Sequence, residues 1–138
     1  INQLTKWMKA DFISNINEEL NTPVDWKDKD LLLDERARSY LDINCGHCHS
    51  TSGAANSTGL YLNITETREK HIGIYKKPVA TGRASGNLEY SIVPGKPDES
   101  ILLQRMISID PGIMMPESGR ALSHTEAIEL IENWILSL

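Results

Sequence analysis

Near the end of the chain, apolar residues recur at the three- and four-residue spacing of an amphipathic helix. The stripe consists of Ala127, Ile128, Ile131, Trp134, Ile135 and Leu138. Just before it, Ser123 and Glu126 have the S-x-x-E spacing of a capping box, in which each side chain satisfies a backbone N–H at the start of a helix. The pattern therefore predicts a C-terminal helix that is capped by Ser123 and buries one face.

Weaker helical spacing predicts three further helices. The first spans residues 4–13, and the second spans residues 34–44 with Asp34 as its N-cap. The third spans residues 98–107 and follows Pro97, a residue type that favours the start of a helix. Together with the C-terminal helix, these elements predict an all-α protein of three or more helices.

Long polar segments separate the predicted helices. Residues 14–33 are polar and charged and predict a linker, and residues 110–120 contain four Pro or Gly residues, which exclude regular structure. Residues 60–65 alternate apolar and polar side chains, a pattern that is also compatible with a minor short strand. Loops this long are uncommon in a compact domain. A large central cofactor would explain them, because it would organise the loops around itself.

Composition and charge narrow the function classes. The 138 residues suit one domain with a short extra arm, and 40% of them are hydrophobic, as in an ordinary globular protein. A formal net charge of −5 argues against nucleic-acid binding, which requires a basic surface. The chain has no apolar run long enough for a transmembrane helix. The expected partners are therefore neither nucleic acids nor the membrane interior.

The segment NCGHCHS, at residues 44–50, contains both cysteines and two of the four histidines of the chain. Within it, Cys45, Cys48 and His49 form C-x-x-C-H, the pattern of covalent c-type haem attachment. Two thiols at this spacing reach the two vinyl groups on one side of the porphyrin, and the next imidazole lies under the iron. The cluster predicts one haem c with His49 as iron ligand and His47 as a spacer.

Two other kinds of site use cysteines at this spacing. A structural zinc ion requires four ligands, usually in two separated pairs, whereas His71 and His124 are isolated in the sequence. A thioredoxin-like dithiol requires its first cysteine at a helix N-terminus, whereas Cys45 follows a predicted helix. Both interpretations describe a haem-free interaction module, and they remain as alternatives to haem attachment.

A second axial ligand is expected on the other side of the iron. Met114 and Met115 lie in the segment GIMMPESGR, where Pro and Gly leave no helix face for a methionine to fill. A thioether in such a loop, shortly before the last helix, suits the distal side of a haem iron. Met8 and Met106 fall in predicted helices and are expected to pack in the core. The loop therefore predicts the second half of the site.

The order of these motifs resembles the class I cytochromes c, with C-G-H-C-H after a helix, M-P in a loop and a final helix that carries an aromatic residue. RARSYLDINCGHCH, PVATGRASG, IVPGKPDESILLQRM and MMPESGR are similar to cytochrome c domains at the C-terminal end of larger secreted bacterial proteins. The resemblance covers residues 34–138 and implies the cytochrome c fold, in which helices and long loops surround one covalent haem. Residues 1–33 are then an N-terminal arm or linker with a short helix.

The resemblance implies a role for each motif residue. Cys45 and Cys48 would form the thioether bonds, and His49 would be the proximal ligand. In the family the distal methionine directly precedes a proline, so Met115 is preferred to Met114 as the distal ligand.

Roles are also predicted for two arginines and two aromatic residues. Arg83 and Arg120 each lie beside a glycine, and their guanidinium groups are predicted to neutralise the haem propionates. Tyr40 and Trp134 are predicted to pack where the helices before and after the loops cross, which is an aromatic contact common in the family.

The resemblance implies an electron-transfer protein rather than an enzyme. Two strong axial ligands leave the iron no open position, so it would cycle between the ferric and ferrous states. The partners would be redox proteins or a tethered upstream redox domain. Haem attachment of this kind takes place outside the cytoplasm, which predicts a periplasmic or cell-surface location in a bacterium. The alternative is a haem enzyme or gas sensor in which Met115 is a labile ligand.

Overall fold

The computed structural model describes residues 3–14, 22–79 and 81–138. These residues form α1 (Gln3–Lys9), α2 (Leu33–Leu41), α3 (Glu69–Ile72), α4 (Ile101–Ile107) and α5 (Thr125–Ser137). Among the described residues, β-type pairing is limited to two isolated bridges, Ile74 with Ile92 and Tyr90 with Ser100. The prediction of an all-α protein is confirmed.

Several short helical turns connect the α-helices. A π-helical turn, Asp42–Gly46, continues directly from α2, and 3₁₀ turns form at Asn56–Thr58, Gly82–Ser85 and Pro97–Glu99. The predicted helix over residues 98–107 is divided at Ser100, whose backbone is extended with φ −102° and ψ 116°. The Ser100 hydroxyl accepts a hydrogen bond from the Val93 N–H at 2.9 Å and donates to the Lys96 carbonyl oxygen at 2.9 Å. These bonds hold the break before α4.

The core lies where α2 crosses α5. The buried face of α2 includes Ala37, Tyr40 and Leu41, and the buried face of α5 consists of Ala127, Leu130, Ile131, Trp134 and Ile135. The indole ring of Trp134 is 2% exposed, and its Nε1–H donates to Asp34 Oδ1 at 2.8 Å. The predicted packing of Tyr40 and Trp134 at this crossing agrees with their membership of one buried cluster.

The α4 helix and several loop residues complete the same core. Leu103 and Met106 of α4 are buried with Leu62, Ile72 and Ile92, which come from the segments between the helices. The Gly95 N–H donates to the Ile135 carbonyl oxygen at 2.8 Å, which ties the loop before α4 to the end of α5. The long loops are therefore packed against the helices by their own apolar side chains.

Two predicted helix caps are wrong. α5 begins at Thr125 after an extended His124, and no side chain caps it, so Ser123 and Glu126 do not form a capping box. The α2 helix begins one residue before Asp34, with Leu32 in the N-cap position. Asp34 instead accepts the indole hydrogen bond of Trp134. The predicted cap of α2 is thus replaced by a tertiary contact, whereas the Glu126 carboxylate at the start of α5 accepts from the nearby His124 ring.

The segment 60–65 forms no strand. It is held by single hydrogen bonds, from the Tyr61 N–H to the His71 carbonyl oxygen and from the Leu62 N–H to the His49 carbonyl oxygen, both at 2.7 Å. These bonds attach the segment to the backbone of His49 on one side and of His71 on the other. The alternation of apolar residues therefore does not indicate a strand here, although Leu62 is buried.

The N-terminal part is described in two pieces. α1 is shorter than the predicted helix over residues 4–13, and the middle of the predicted linker, residues 15–21, lies outside the described residues. After that gap, the Val24 N–H donates to Ser39 Oγ at 2.9 Å and Arg36 Nε donates to the Trp26 carbonyl oxygen at 2.9 Å. The division at residues 33 and 34 stays a prediction. Among the described helices, none has the length and apolar character needed to cross a membrane.

Candidate functional site

The C-G-H-C-H segment continues the helical path of α2. The Cys48 N–H and the His49 N–H both donate to the Cys45 carbonyl oxygen, at 3.1 and 2.8 Å. Residues three and four apart on a helical turn share one side. The two sulfur atoms and the imidazole therefore leave the backbone on the same side of this turn, while His47 is exposed.

Both cysteines are free and half-buried. Burial, together with the neighbouring Cys48, raises the pKa of the Cys45 thiol to about 11. The thiol is therefore protonated at neutral pH, and it lies at the end of a helical segment rather than at its start. A redox dithiol requires the opposite, a lowered pKa at a helix N-terminus. The geometry disfavours the dithiol alternative.

The His49 imidazole is kept neutral. Burial lowers the pKa of His49, while the Leu60 backbone beside the ring opposes that shift. Its Nδ1 atom is buried and makes no regular hydrogen bond within the described part of the chain. The main chain of His49 is fixed, because its carbonyl oxygen accepts the Leu62 N–H at 2.7 Å. A neutral imidazole on a fixed backbone is the form that binds a metal ion.

Residues 110–120, here called the methionine loop, have the irregular backbone that the sequence predicts. The Asp110 carbonyl oxygen accepts the N–H groups of Ile113 and Met114, at 2.9 and 2.8 Å. The next N–H, of Met115, donates to the Arg105 carbonyl oxygen of α4 at 2.9 Å. Met114 is 9% exposed, and Met115 is half-buried. The preference for Met115 as ligand stays a prediction.

Charges of the methionine loop and of α4 act on His49. After burial and the Leu60 backbone, the His49 pKa is lowered by the charge of Arg105, raised by that of Glu117 and lowered by that of His47. Glu117 follows Met115 by two positions, and the Arg105 carbonyl oxygen accepts the Met115 N–H. The methionine loop is therefore within electrostatic reach of the imidazole, and a shared site of the two segments stays a prediction.

The two predicted propionate-binding arginines are held by protein acceptors. Arg83 donates from both terminal nitrogens to Asp110, at 2.9 and 3.1 Å, and its side chain is 67% exposed. Arg120 donates to the carbonyl oxygens of Arg105, Met106 and Ser108 at the end of α4. Both side chains thus fasten the ends of the methionine loop, and a role toward a propionate stays a prediction.

His124 lies in an aromatic cluster with Trp26 and Tyr40, at ring-centroid distances of 5.4 and 5.8 Å. Its Nε2–H donates to a Glu126 carboxylate oxygen at 3.0 Å, which leaves Nδ1 to accept from the Tyr40 hydroxyl at 3.3 Å. Burial, followed by the nearby Cys45, raises the pKa of Tyr40 to about 12, so the hydroxyl remains a donor. Both ring nitrogens of His124 are therefore occupied by protein groups.

His71 packs against a neighbouring aromatic ring instead of facing solvent. Its imidazole stacks on Tyr61 with ring centroids 4.9 Å apart. The His71 ring is half-buried. In the described parts of the chain, no three His, Cys, Asp or Glu side chains cluster in a way that would hold a metal ion. The zinc alternative thus gains no support from the histidines outside the motif.

Arg105 is the residue of this region that sequence reasoning misses. Its Nε donates to the Ile113 carbonyl oxygen at 2.8 Å, and burial lowers its pKa while Glu117 opposes that change. An arginine within an amphipathic helix pattern gives no sign that it turns toward a later loop. The only signal is its position at the edge of the apolar stripe of α4.

No model of a known protein family, no curated protein and no solved structure matches this chain.

Proposed function

We propose that this chain is a class I cytochrome c domain that carries one covalently attached haem c and transfers single electrons. The all-α architecture is compatible with that fold. The observation that carries the proposal is the helical turn on which Cys45, Cys48 and His49 share one side, next to a loop with two methionines.

The residues of the region fit such a group. The two thiols are free and half-buried, and the His49 imidazole is neutral with a buried, unpartnered Nδ1 among the described residues. The Leu60 backbone beside the ring provides a carbonyl group that can orient an iron-bound histidine, a common arrangement for metal ligands. Two free thiols followed directly by a neutral imidazole suit a haem that is attached covalently and bound through its iron.

When bound, the haem iron supplies one-electron chemistry between its ferric and ferrous states. Cys45 and Cys48 would hold the ring by thioether bonds, while His49 and Met115 would bind the iron. A neutral thioether favours the ferrous state relative to a second histidine, which raises the reduction potential. The burial of Met114 in the methionine loop would limit access of water to the iron.

The same proposal includes the partners and the location. Electrons would be exchanged with redox proteins or with a tethered redox domain, through a small transient interface. Because thioether attachment of haem occurs outside the cytoplasm, the domain would act in the periplasm or at the surface of a bacterial cell.

Spectroelectrochemical titration of the protein, produced in a periplasm with haem-attachment machinery, tests the proposal. We expect a single one-electron transition and a ferric near-infrared absorption band that signals an iron–thioether bond. Met115→Ala should abolish the band, and Met114→Ala is the matched control that should retain it. A high-spin ferric spectrum without the band in the unmodified protein would favour a haem enzyme or gas sensor instead.

A further inference from the structure

Arg105 binds the methionine loop at two points. Its guanidinium Nε donates to the Ile113 carbonyl oxygen at 2.8 Å, and its own carbonyl oxygen accepts the Met115 N–H at 2.9 Å. These two bonds bracket Met114. The backbone on both sides of that residue is therefore tied to a single residue of α4.

The α4 helix provides a firm base for this contact. Its Leu103 and Met106, on either side of Arg105 in sequence, are 4% and 8% exposed and belong to the main core cluster. A helix anchored in this way moves less than a loop whose backbone bonds are mostly local. Arg105 therefore connects the methionine loop to a helix that is anchored in the core.

The Arg105 side chain turns toward the methionine loop, since its Nε donates to the Ile113 carbonyl oxygen. It is half-buried, and the Glu117 carboxylate is close enough to oppose the effect of burial on the pKa of Arg105. Partial burial of a charged group is unfavourable unless the group is hydrogen-bonded or paired. The Ile113 carbonyl and the Glu117 carboxylate provide that compensation.

We propose that Arg105 is the positioning residue of the methionine loop and keeps the distal thioether directed toward the His49 side. The inference rests on the proposed function. Arg120 contacts the loop in a different way, because its guanidinium binds carbonyl oxygens at the end of α4 and none in residues 113–115. Without Arg105, the loop is less constrained and an added ligand displaces the thioether more readily.

Competition by imidazole for the ferric iron tests this role. The Arg105→Met variant has no side-chain hydrogen-bond donor, so we expect a weaker thioether band and about tenfold tighter imidazole binding. A tenfold change in affinity corresponds to about 1.4 kcal/mol, which is the size of one lost hydrogen bond. Arg105→Lys keeps the positive charge, so its imidazole affinity should lie between those of the unmodified protein and Arg105→Met. Arg68→Met is the matched control, because within the described residues the Arg68 side chain donates only to Glu66, which is distant in sequence from the loop. Imidazole affinity should not change in this variant.

Hydrogen–deuterium exchange separates positioning from general loss of stability. Amides of residues 110–120 should exchange faster in Arg105→Met while those of α5 keep their protection. The inference is overturned if Arg105→Met changes neither the imidazole affinity nor the exchange of the loop amides. If Arg105→Met does not fold, the same two measurements on Arg105→Lys decide. A parent protein without covalent haem would instead defeat the proposed function, and loop exchange in the variants would still decide whether Arg105 holds the loop.

Discussion

The hydrogen bond between Trp134 and Asp34 joins two helices that are 100 residues apart in the sequence, at 2.8 Å. The indole donor is buried, and the carboxylate acceptor is exposed at one end of α2. A hydrogen bond to a charged group contributes about 1.5–3 kcal/mol when it is buried. Exposure of the carboxylate weakens the bond, so we expect about 1–2 kcal/mol here.

A double-mutant cycle isolates this contribution. Asp34→Ala removes the acceptor, Trp134→Phe removes the donor together with some ring volume, and the double variant removes both. The free energy of unfolding, measured by urea titration with far-ultraviolet circular dichroism, should give a coupling energy of about 1–2 kcal/mol. The volume lost in Trp134→Phe cancels in the cycle, because it occurs with and without Asp34.

Glu35 provides the matched control. It is the next residue of α2, it is exposed, and it is not hydrogen-bonded to Trp134 in the structure. The cycle of Glu35→Ala with Trp134→Phe should give a coupling energy near zero. Independent sites are additive to within about 0.3 kcal/mol. If the coupling energy between Asp34 and Trp134 is no larger than that, the crossing of α2 and α5 is wrong.

Two further predictions concern the segments next to the C-G-H-C-H turn. Arg68 and backbone N–H groups lower the pKa of Glu66 from 4.5 to about 2, so its stabilising contribution is complete above pH 4.5 and is lost as the pH falls toward 2. Glu66→Gln should therefore lower the free energy of unfolding by about 1–2 kcal/mol at pH 7, which is less than the full pKa shift implies because Arg68 is exposed. The difference between the two proteins should disappear when unfolding is measured in acid. An unchanged difference at pH 2 contradicts this prediction. A Cβ atom on Gly53 would lie 2.1 Å from the Cys48 carbonyl oxygen, so Gly53→Ala should lower the free energy of unfolding by about 1–3 kcal/mol. Ala54→Ser, at an exposed neighbour, should change it by less than about 0.5 kcal/mol, and equal effects of the two substitutions would refute the argument.

The elements that the sequence predicts well are those whose pattern is local. The apolar stripe of the last helix is buried at Ala127, Ile131, Trp134 and Ile135, because the 3.6-residue period alone determines which side chains share a face. Leu138 is an exception, because it follows the last residue of α5, Ser137, and is 43% exposed. The irregular backbone of the methionine loop is also local, because Pro and Gly exclude a helix there.

The parts that could not be predicted depend on contacts between distant segments. Asp34 has the sequence of an N-cap, yet its carboxylate binds Trp134, and nothing near Asp34 in the sequence indicates that partner. Arg83 is similar, since its pairing with Asp110 spans 27 residues. Arg105 turns toward the methionine loop for the same kind of reason. A pattern of residue types indicates which groups are available, whereas the fold decides which groups meet.

The chemistry of the C-G-H-C-H turn combines both kinds of information. Its spacing indicates haem attachment, and the raised pKa of Cys45 and the neutral imidazole of His49 arise from burial in the folded chain. The proposed ligand pair needs the fold as well, because the charge of Glu117 acts on the pKa of His49 across 68 positions of the sequence only in the folded chain.

The mass of the denatured protein, purified from a periplasm that attaches haem, tests the central claim most directly. We expect each chain to be heavier by one haem, and we expect neither Cys45 nor Cys48 to react with a thiol reagent. A chain of unmodified mass with two reactive thiols would contradict it.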